Sequence, residues 1–355
     1  MALDTEHHKH QNLDWINNLR VVAMLMVVII HTSSPVIMGY GHVLLKDWLW
    51  GDFYNGLSRF GVPVFVMITG ALLLPREYEL SDFLKRRLGR IIPPFILWSL
   101  VYVAYAWYNE DINFTPDIWA DIKLVLHQLK YGAYYHLWYV YMLIGLYFVI
   151  PVLSKFVRNA TEKEVVYFLI VWLAVMFLAQ PYLARFNPSL DMHYFLGYIG
   201  YLVLGYYLAA KQFSPKLTCG WLLLIFLLTL ALIVYGTYWS CLNNKGLTLF
   251  YEPLSPAIVL LSSSVFLLFR FTIVKWPSRL KKARDLICTY TFGIYLAHAL
   301  ILDIMGDPDY NINLNWRLCS PSISIPVTAT VCFMAAFLLV YLISKMPAVG
   351  KWISA

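Results

Sequence analysis

The chain has 355 residues, of which 60% are hydrophobic and 13% charged, with a formal net charge of +7. A typical soluble domain is nearer half apolar and a quarter charged, so this composition cannot clothe a water-soluble globule and excludes the soluble-enzyme and disordered classes. With 13 Trp, 26 Tyr and 21 Phe, it fits a polytopic membrane protein.

An all-α bundle follows. Crossing about 30 Å of hydrocarbon takes about twenty apolar residues, and ten such stretches are read at 19–38, 56–75, 90–109, 134–153, 164–183, 192–210, 219–240, 252–270, 288–305 and 325–344. They predict a tail at 1–18, one transmembrane domain at 19–344 and a second tail at 345–355. In the first tail, His7, His8, Lys9 and His10 are expected to be solvated and not to bind a metal. The first span lacks a small-x-small cleavage site and is read as retained, not as a signal peptide. Outer segment 110–133, with Trp119, Leu124 and four acids, suits a helix lying on the interface or a solvated cap. Segment 306–324, with Asp307, Asp309 and Trp316, is read as a solvated cap. His42, His127 and His193 fall in outer loops and are expected to be solvated. Cys219, Cys241, Cys288, Cys319 and Cys332 have neither CxxC nor metal spacing and read as packing residues. Ser262, Ser263 and Ser264 read as small-residue helix packing. The chain has no internal repeat of the kind many transporters carry.

With ten spans both termini share a side. That side holds 20 of the 27 bases and 9 of the 20 acids, a net +11, and the other holds 7 bases and 11 acids, a net −4. The positive-inside rule then places both termini in the cytoplasm.

Ionisable residues within spans are costly and mark function by default. Arg20 and His31 are eleven positions apart, within about 20° of three full helical turns and roughly 16 Å apart along the axis. They therefore share a face, with Arg20 at the cytoplasmic mouth and His31 towards the outer leaflet. Histidine is suited to proton transfer near neutral pH, although a lone membrane histidine is also compatible with simple packing. Lys85, Arg86, Arg87 and Arg90 cluster at a cytoplasmic helix start. Arg87 and Arg90 share a helical face and could grip phosphates, hold anionic lipid or simply enforce topology.

Several motifs together resemble a family. Asp14-Trp15-Ile16-Asn17-Asn18-Leu19-Arg20 with His31, Arg59-Phe60-Gly61-Val62-Pro63 running to Thr69-Gly70, Arg87-x-x-Arg90, His136-Leu137-Trp138-Tyr139 and Thr291-Phe292-Gly293-Ile294-Tyr295-Leu296-Ala297-His298 stand in the order found in the acyltransferase-3 family of integral membrane acyltransferases. Thr69 replaces the more common Ser. The histidine-led fourth-span motif is similar to the branch containing the enterobacterial common antigen O-acetyltransferase.

The resemblance implies a multi-pass enzyme of the bacterial inner membrane that moves an acyl group, usually acetyl, from acyl-CoA to a hydroxyl of a cell-envelope glycan. It implies neither metal nor nucleic acid, and no appended soluble domain is expected. Under that implication Arg20, Arg86, Arg87 and Arg90 meet the phosphorylated donor. His31 acts as general base or is itself transiently acylated. Arg59 stabilises the oxyanion or anchors at the interface. Glu252 is the first expected partner for His31 and Asp303 the second, and His298 is expected in the same cavity. His136, Trp138 and Tyr139 suit a sugar acceptor, or the ordinary aromatic belt. A transporter for an anionic or sugar substrate and a non-catalytic membrane scaffold are the competing readings. The acyl group, the acceptor and the oligomeric state stay open.

Overall fold

A computed structural model describes residues 14–180, 197–213, 215–243, 245–246, 249–272, 274, 276–310, 312–347 and 350, with backbone alone at 215–218. The His7, His8, Lys9, His10 cluster and His193 lie outside these residues, as do the ends of both expected tails. Thirteen α-helices follow in order: α1 Asp14–Met38, α2 Leu45–Ser58, α3 Gly61–Leu73, α4 Leu80–Tyr108, α5 Ile118–Tyr131, α6 Trp138–Asn159, α7 Glu162–Leu178, α8 Ile199–Ala210, α9 Pro215–Leu242, α10 Pro256–Phe271, α11 Ser278–Thr289, α12 Thr291–Gly306 and α13 Pro321–Ser344. No strand occurs among the described residues. Helices suit a membrane because each satisfies its own backbone hydrogen bonds.

Among the described residues six helical segments are long and apolar enough to cross a membrane, with Leu45–Leu73 counted as one, and seven if α11 and α12 form one span bent by 72°. The ten expected stretches each overlap a described helix, but α8 and α10 are shorter apolar helices. The expected second span starts at 56, whereas helix begins at Leu45. Asp47, Asp52 and Asn55 depress the local hydropathy of α2, yet Asp52 and Asn55 are fully buried. Internal partners, described below, offset the burial of these polar groups.

Helix α1 is the hub and packs against α2, α3, α10, α11, α12 and α13. Its start is clamped by α11. The buried Arg284 guanidinium pairs with Asp14 at 2.8 Å and Asp285 at 2.6 Å, and donates to Asn18 Oδ1 at 2.8 Å. Asn17 Nδ2 donates to Asp285 at 3.0 Å, Trp276 Nε1 to Asn18 at 3.1 Å, and Lys281 pairs with Asp14 at 2.9 Å. The polar residues of the first-span motif thus fix where α1 begins.

The second-span motif has a packing cause. A Cβ on Gly70 would lie 2.0 Å from the Leu202 carbonyl oxygen, and one on Gly205 would lie 2.1 Å from that of Met67. Glycine lets α3 and α8 cross at backbone contact, as small residues do between membrane helices. Helix α4 is capped by Glu79, which accepts from Asp82 N at 2.7 Å and Ser81 N at 3.2 Å. Those bonds hold its carboxyl below its ordinary pKa. The cap sets the phase on which Arg87 and Arg90 project. Helix α5 forms in the 110–133 segment behind an Asp117 cap and buries none of its residues.

Candidate active site

Helices α1, α4 and α12 each give one end to a cavity called inner after its expected side and the other end to a cavity called outer, while α6 gives Trp138 to the outer one and Tyr139, Leu143 and Tyr147 to the inner one. The inner cavity, 390 Å³, is lined by Arg20, Arg87, Arg90, Tyr139, Cys288 and Tyr295 among others. Arg87 and Arg90 also line a neighbouring 540 Å³ cavity with Arg76, Arg86 and three acids, Glu77, Glu79 and Asp82. The outer cavity, 800 Å³, is lined by His31, Arg59, Tyr134, Trp138, Asp303 and Trp316 among others. Arg20 and His31 sit at opposite ends of one α1 face, as their eleven-residue spacing requires.

Three histidines meet beside the outer cavity. The ring centroids of His31 and His298 are 5.2 Å apart, and those of His298 and His136 are 5.0 Å apart. His31 is half-buried and opens to the outer cavity. His298 is fully buried and lines neither cavity, so it backs His31 where the sequence suggested a shared lining. His298 Nδ1 lies 2.6 Å from the Tyr295 carbonyl oxygen. A carbonyl only accepts, so Nδ1 carries the hydrogen and neutral Nε2 presents a bare lone pair. That Nε2 is buried without a hydrogen-bond partner. His136 is also buried and lines neither cavity, and neither of its ring nitrogens is hydrogen-bonded. Tyr295 donates to the His136 carbonyl oxygen, tying α12 to the start of α6.

The backbone around His31 is loosened locally. Pro35 lies four residues on and has no N–H, so the His31 carbonyl loses its usual helical donor. Thr32, Ser33 and Ser34 each donate to a carbonyl three or four residues earlier, at 2.6–3.1 Å, which keeps these hydroxyls paired inside the bundle.

Arg59 sits at the break between α2 and α3 and is held by protein on several sides. It donates to Asn55 Oδ1 and, at 3.4 Å, to the Tyr251 carbonyl, and its guanidinium carbon lies 4.1 Å from the Tyr251 ring centroid. Asn55 Nδ2 in turn donates to the Ile30 carbonyl at 3.2 Å and to Ser33 Oγ at 2.9 Å. The guanidinium is thereby fixed to the turn that carries His31. Tyr251 also donates to the buried Asp52 carboxylate.

The remaining expected residues divide. Trp138 lines the outer cavity and Tyr139 the inner one. Glu252 is exposed and is not among the residues lining the cavity of His31. Asp303 is among them, and it accepts from Tyr134 OH. Arg86 pairs with Asp82 at 3.0 Å on the exposed side of α4; it lines the 540 Å³ cavity with Arg87 and Arg90 but not the 390 Å³ one. The 306–324 segment is more than a solvated cap, because Asp307, Asn315, Trp316 and Arg317 all line the outer cavity. His42 is exposed, and exposed His127 stacks on Tyr131 at 4.6 Å. Cys241, Cys288 and Cys332 are buried, Cys319 is exposed, and all five cysteines are free.

Sequence reasoning missed Arg284, Asn55 and Tyr134. Asn55 had a detectable signal, an amide four residues before an in-span arginine. Arg284 had none, since its partners on α1, Asp14 and Asn18, lie some 270 residues away.

The model of the acyltransferase-3 family, described as "Acyltransferase domain", matches residues 13–345. The succinoglycan biosynthesis protein ExoH of Rhizobium meliloti (strain 1021) is 30% identical over 130 residues, covering 31% of this chain and 34% of that protein. A probable poly-beta-1,6-N-acetyl-D-glucosamine export protein of Staphylococcus aureus (strain MW2) is 21% identical over 306 residues, covering 80% of this chain and 81% of the relative. The putative membrane-bound acyltransferase YfiQ of Bacillus subtilis (strain 168) is 23% identical over 305 residues, covering 81% and 80%. No solved structure matches. With the family model matching almost end to end over a helical, membrane-spanning chain, the protein belongs to the acyltransferase-3 family of membrane acyltransferases.

Proposed function

We propose that this protein moves an acyl group, acetyl first among the candidates, from cytoplasmic acyl-CoA to a hydroxyl of a cell-envelope glycan or its lipid-linked precursor. The reading includes ten crossings, cytoplasmic termini and the bacterial inner membrane. The observation that carries it is the pairing of an arginine-lined inner cavity with a His31–Arg59 outer cavity along one set of helices.

Arg87 and Arg90 face both inner cavities, so they can hold the donor's phosphates while its thin arm passes Arg20, Tyr139 and Tyr295. A sugar hydroxyl enters the outer cavity beside Trp138 and Trp316, whose faces suit sugar rings. His31 takes the hydroxyl proton as the oxygen attacks the thioester carbonyl. The C–O bond forms, the C–S bond breaks, and the CoA thiolate leaves and is reprotonated. Arg59, already fixed by Asn55 and Tyr251, meets the negative charge that builds on the carbonyl oxygen without further reorganisation. Behind His31, the bare Nε2 of His298 can accept an N–H from the imidazole, the orienting task first assigned to Glu252. Asp303, in the same cavity, suits acceptor hydroxyls.

A second reading, transport of an anionic or sugar substrate, is favoured by the two stacked cavities and by the export protein among the relatives. One experiment separates them. Purified protein in nanodiscs is given radiolabelled acetyl-CoA and cell-envelope membranes, and base-labile glycan label is counted beside CoA release. Acyl transfer predicts both signals in equal amounts. Transport predicts neither.

A further inference from the structure

We propose that Tyr102, on α4, is a positioning residue for His298. The inference rests on the acyl-transfer reading, but its structural half stands apart from it. Tyr102 is fully buried, and its hydroxyl is wholly engaged by the backbone of α12. It donates to the Leu296 carbonyl at 2.8 Å and accepts from Leu300 N at 3.1 Å. Leu296 and Leu300 are the two ends of one i,i+4 pair of the helical ladder, and His298 lies midway between them. A side chain inserted at such a pair changes the local course of a helix.

Three further contacts brace the same turn. Cys332 Sγ on α13 donates to the His298 carbonyl at 3.3 Å. The Tyr102 ring stacks on Tyr134 at 4.5 Å, with the planes 17° apart. Tyr134 in turn donates to Asp303, on the next turn of α12 and at the wall of the outer cavity. The bracket therefore grips α12 on both sides of His298. A phenylalanine would fill the same volume, so packing alone does not call for the hydroxyl. What the hydroxyl adds is a fixed backbone at the residue whose Nδ1–H is spent on Tyr295, and hence a fixed direction for the bare Nε2 behind His31. An error of about 1 Å at such a position can cost on the order of a hundredfold in rate.

The test uses the full-length protein in nanodiscs with acetyl-CoA and envelope membranes, comparing wild type, Tyr102→Phe and Tyr134→Phe. It also uses 15N-histidine spectra, with the His298 signals assigned by their loss in His298→Gln. Tyr102→Phe is expected to lower kcat at least tenfold with the acetyl-CoA KM within twofold. Its His298 signals should change from one tautomer, with Nε2 bare, to an exchanging pair. Tyr134→Phe, which keeps the stack but releases Asp303, should show a smaller change of the same kind. The proposal is overturned if Tyr102→Phe retains the wild-type rate and His298 spectrum, or if its rate falls only in proportion to the folded fraction. Should Tyr102→Phe not fold, an unchanged His298 spectrum in Tyr134→Phe overturns it. A wild-type protein that transfers no acyl group sinks the acyl-transfer reading instead, and the tautomer measurement then decides whether Tyr102 positions His298.

Discussion

The arginines of the inner cavities and the arginine of the outer cavity keep different company. Among the described residues Arg87 and Arg90 make no ion pair, and the Arg87 guanidinium carbon lies 5.9 Å from the Phe83 ring centroid. Arg20 has a neutral thiol, Cys288, at 3.4 Å. Arg59 is instead bound on several sides by Asn55, the Tyr251 carbonyl and the Tyr251 ring. Cations left without anionic partners in a cavity are available to an anionic ligand. A cation locked in place before any ligand arrives is suited to charge that appears only in a transition state. Under the acyl-transfer reading proposed above, the two ends of the bundle would divide the work between binding and chemistry.

The largest expected effect lies at the outer end. Arg59→Lys keeps the charge but loses the planar fork that fits Asn55 and Tyr251. Its kcat should fall by about a hundredfold with the acyl-CoA KM unchanged, as expected when an oxyanion donor is displaced. A raised KM at constant kcat would place Arg59 with the binding arginines and erase the contrast. At the inner end, Arg87→Ala/Arg90→Ala should raise the acyl-CoA KM by about tenfold or more, the scale of one or two lost charge-assisted contacts. Titrating CoA against a tryptophan fluorescence signal checks this independently of turnover.

Smaller effects sharpen the boundary. Arg284→Ala strips the clamp from Asp14, Asn18 and Asp285 without touching either cavity. It should lower the melting temperature by about 3 °C, the shift expected of roughly 2 kcal/mol in a chain of this size. The two KM values should stay near wild type. Arg86→Ala should change the acyl-CoA KM by less than about twofold, because its pair with Asp82 is solvent-exposed and such pairs contribute little.

Much of this was legible in the sequence, and what was not has physical reasons. The face shared by Arg20 and His31 is a property of helical period alone, so it could be computed before any packing was known. The arginine pair on α4 was legible for the same reason. The histidine cluster was legible only in part. His298 was expected near His31 from its depth, but that His136 joins them, and that His298 does not line the cavity, depends on packing. Depth along a span does not say which way a ring points. Glu252 and Asp303 both sit at a suitable depth in the sequence reading, with Glu252 placed first, and depth is blind to azimuth. Glu252 lies exposed, while Asp303 faces the cavity. Helix α2 hid behind its own polar residues, whose cost is offset by long-range partners such as Tyr251. The 306–324 segment read as a cap because its acids look solvated in sequence, yet six of its residues wall the outer cavity.

The most direct test of the division between binding and chemistry is a transfer assay on His31→Ala beside wild type, with labelled acetyl-CoA and envelope membranes. Losing a general base should cut label transfer by about 10²–10⁴-fold while CoA binding, measured separately, stays within twofold. Transfer by His31→Ala at the wild-type rate would contradict the account, and so would a His31→Ala protein that had simply lost its affinity for CoA.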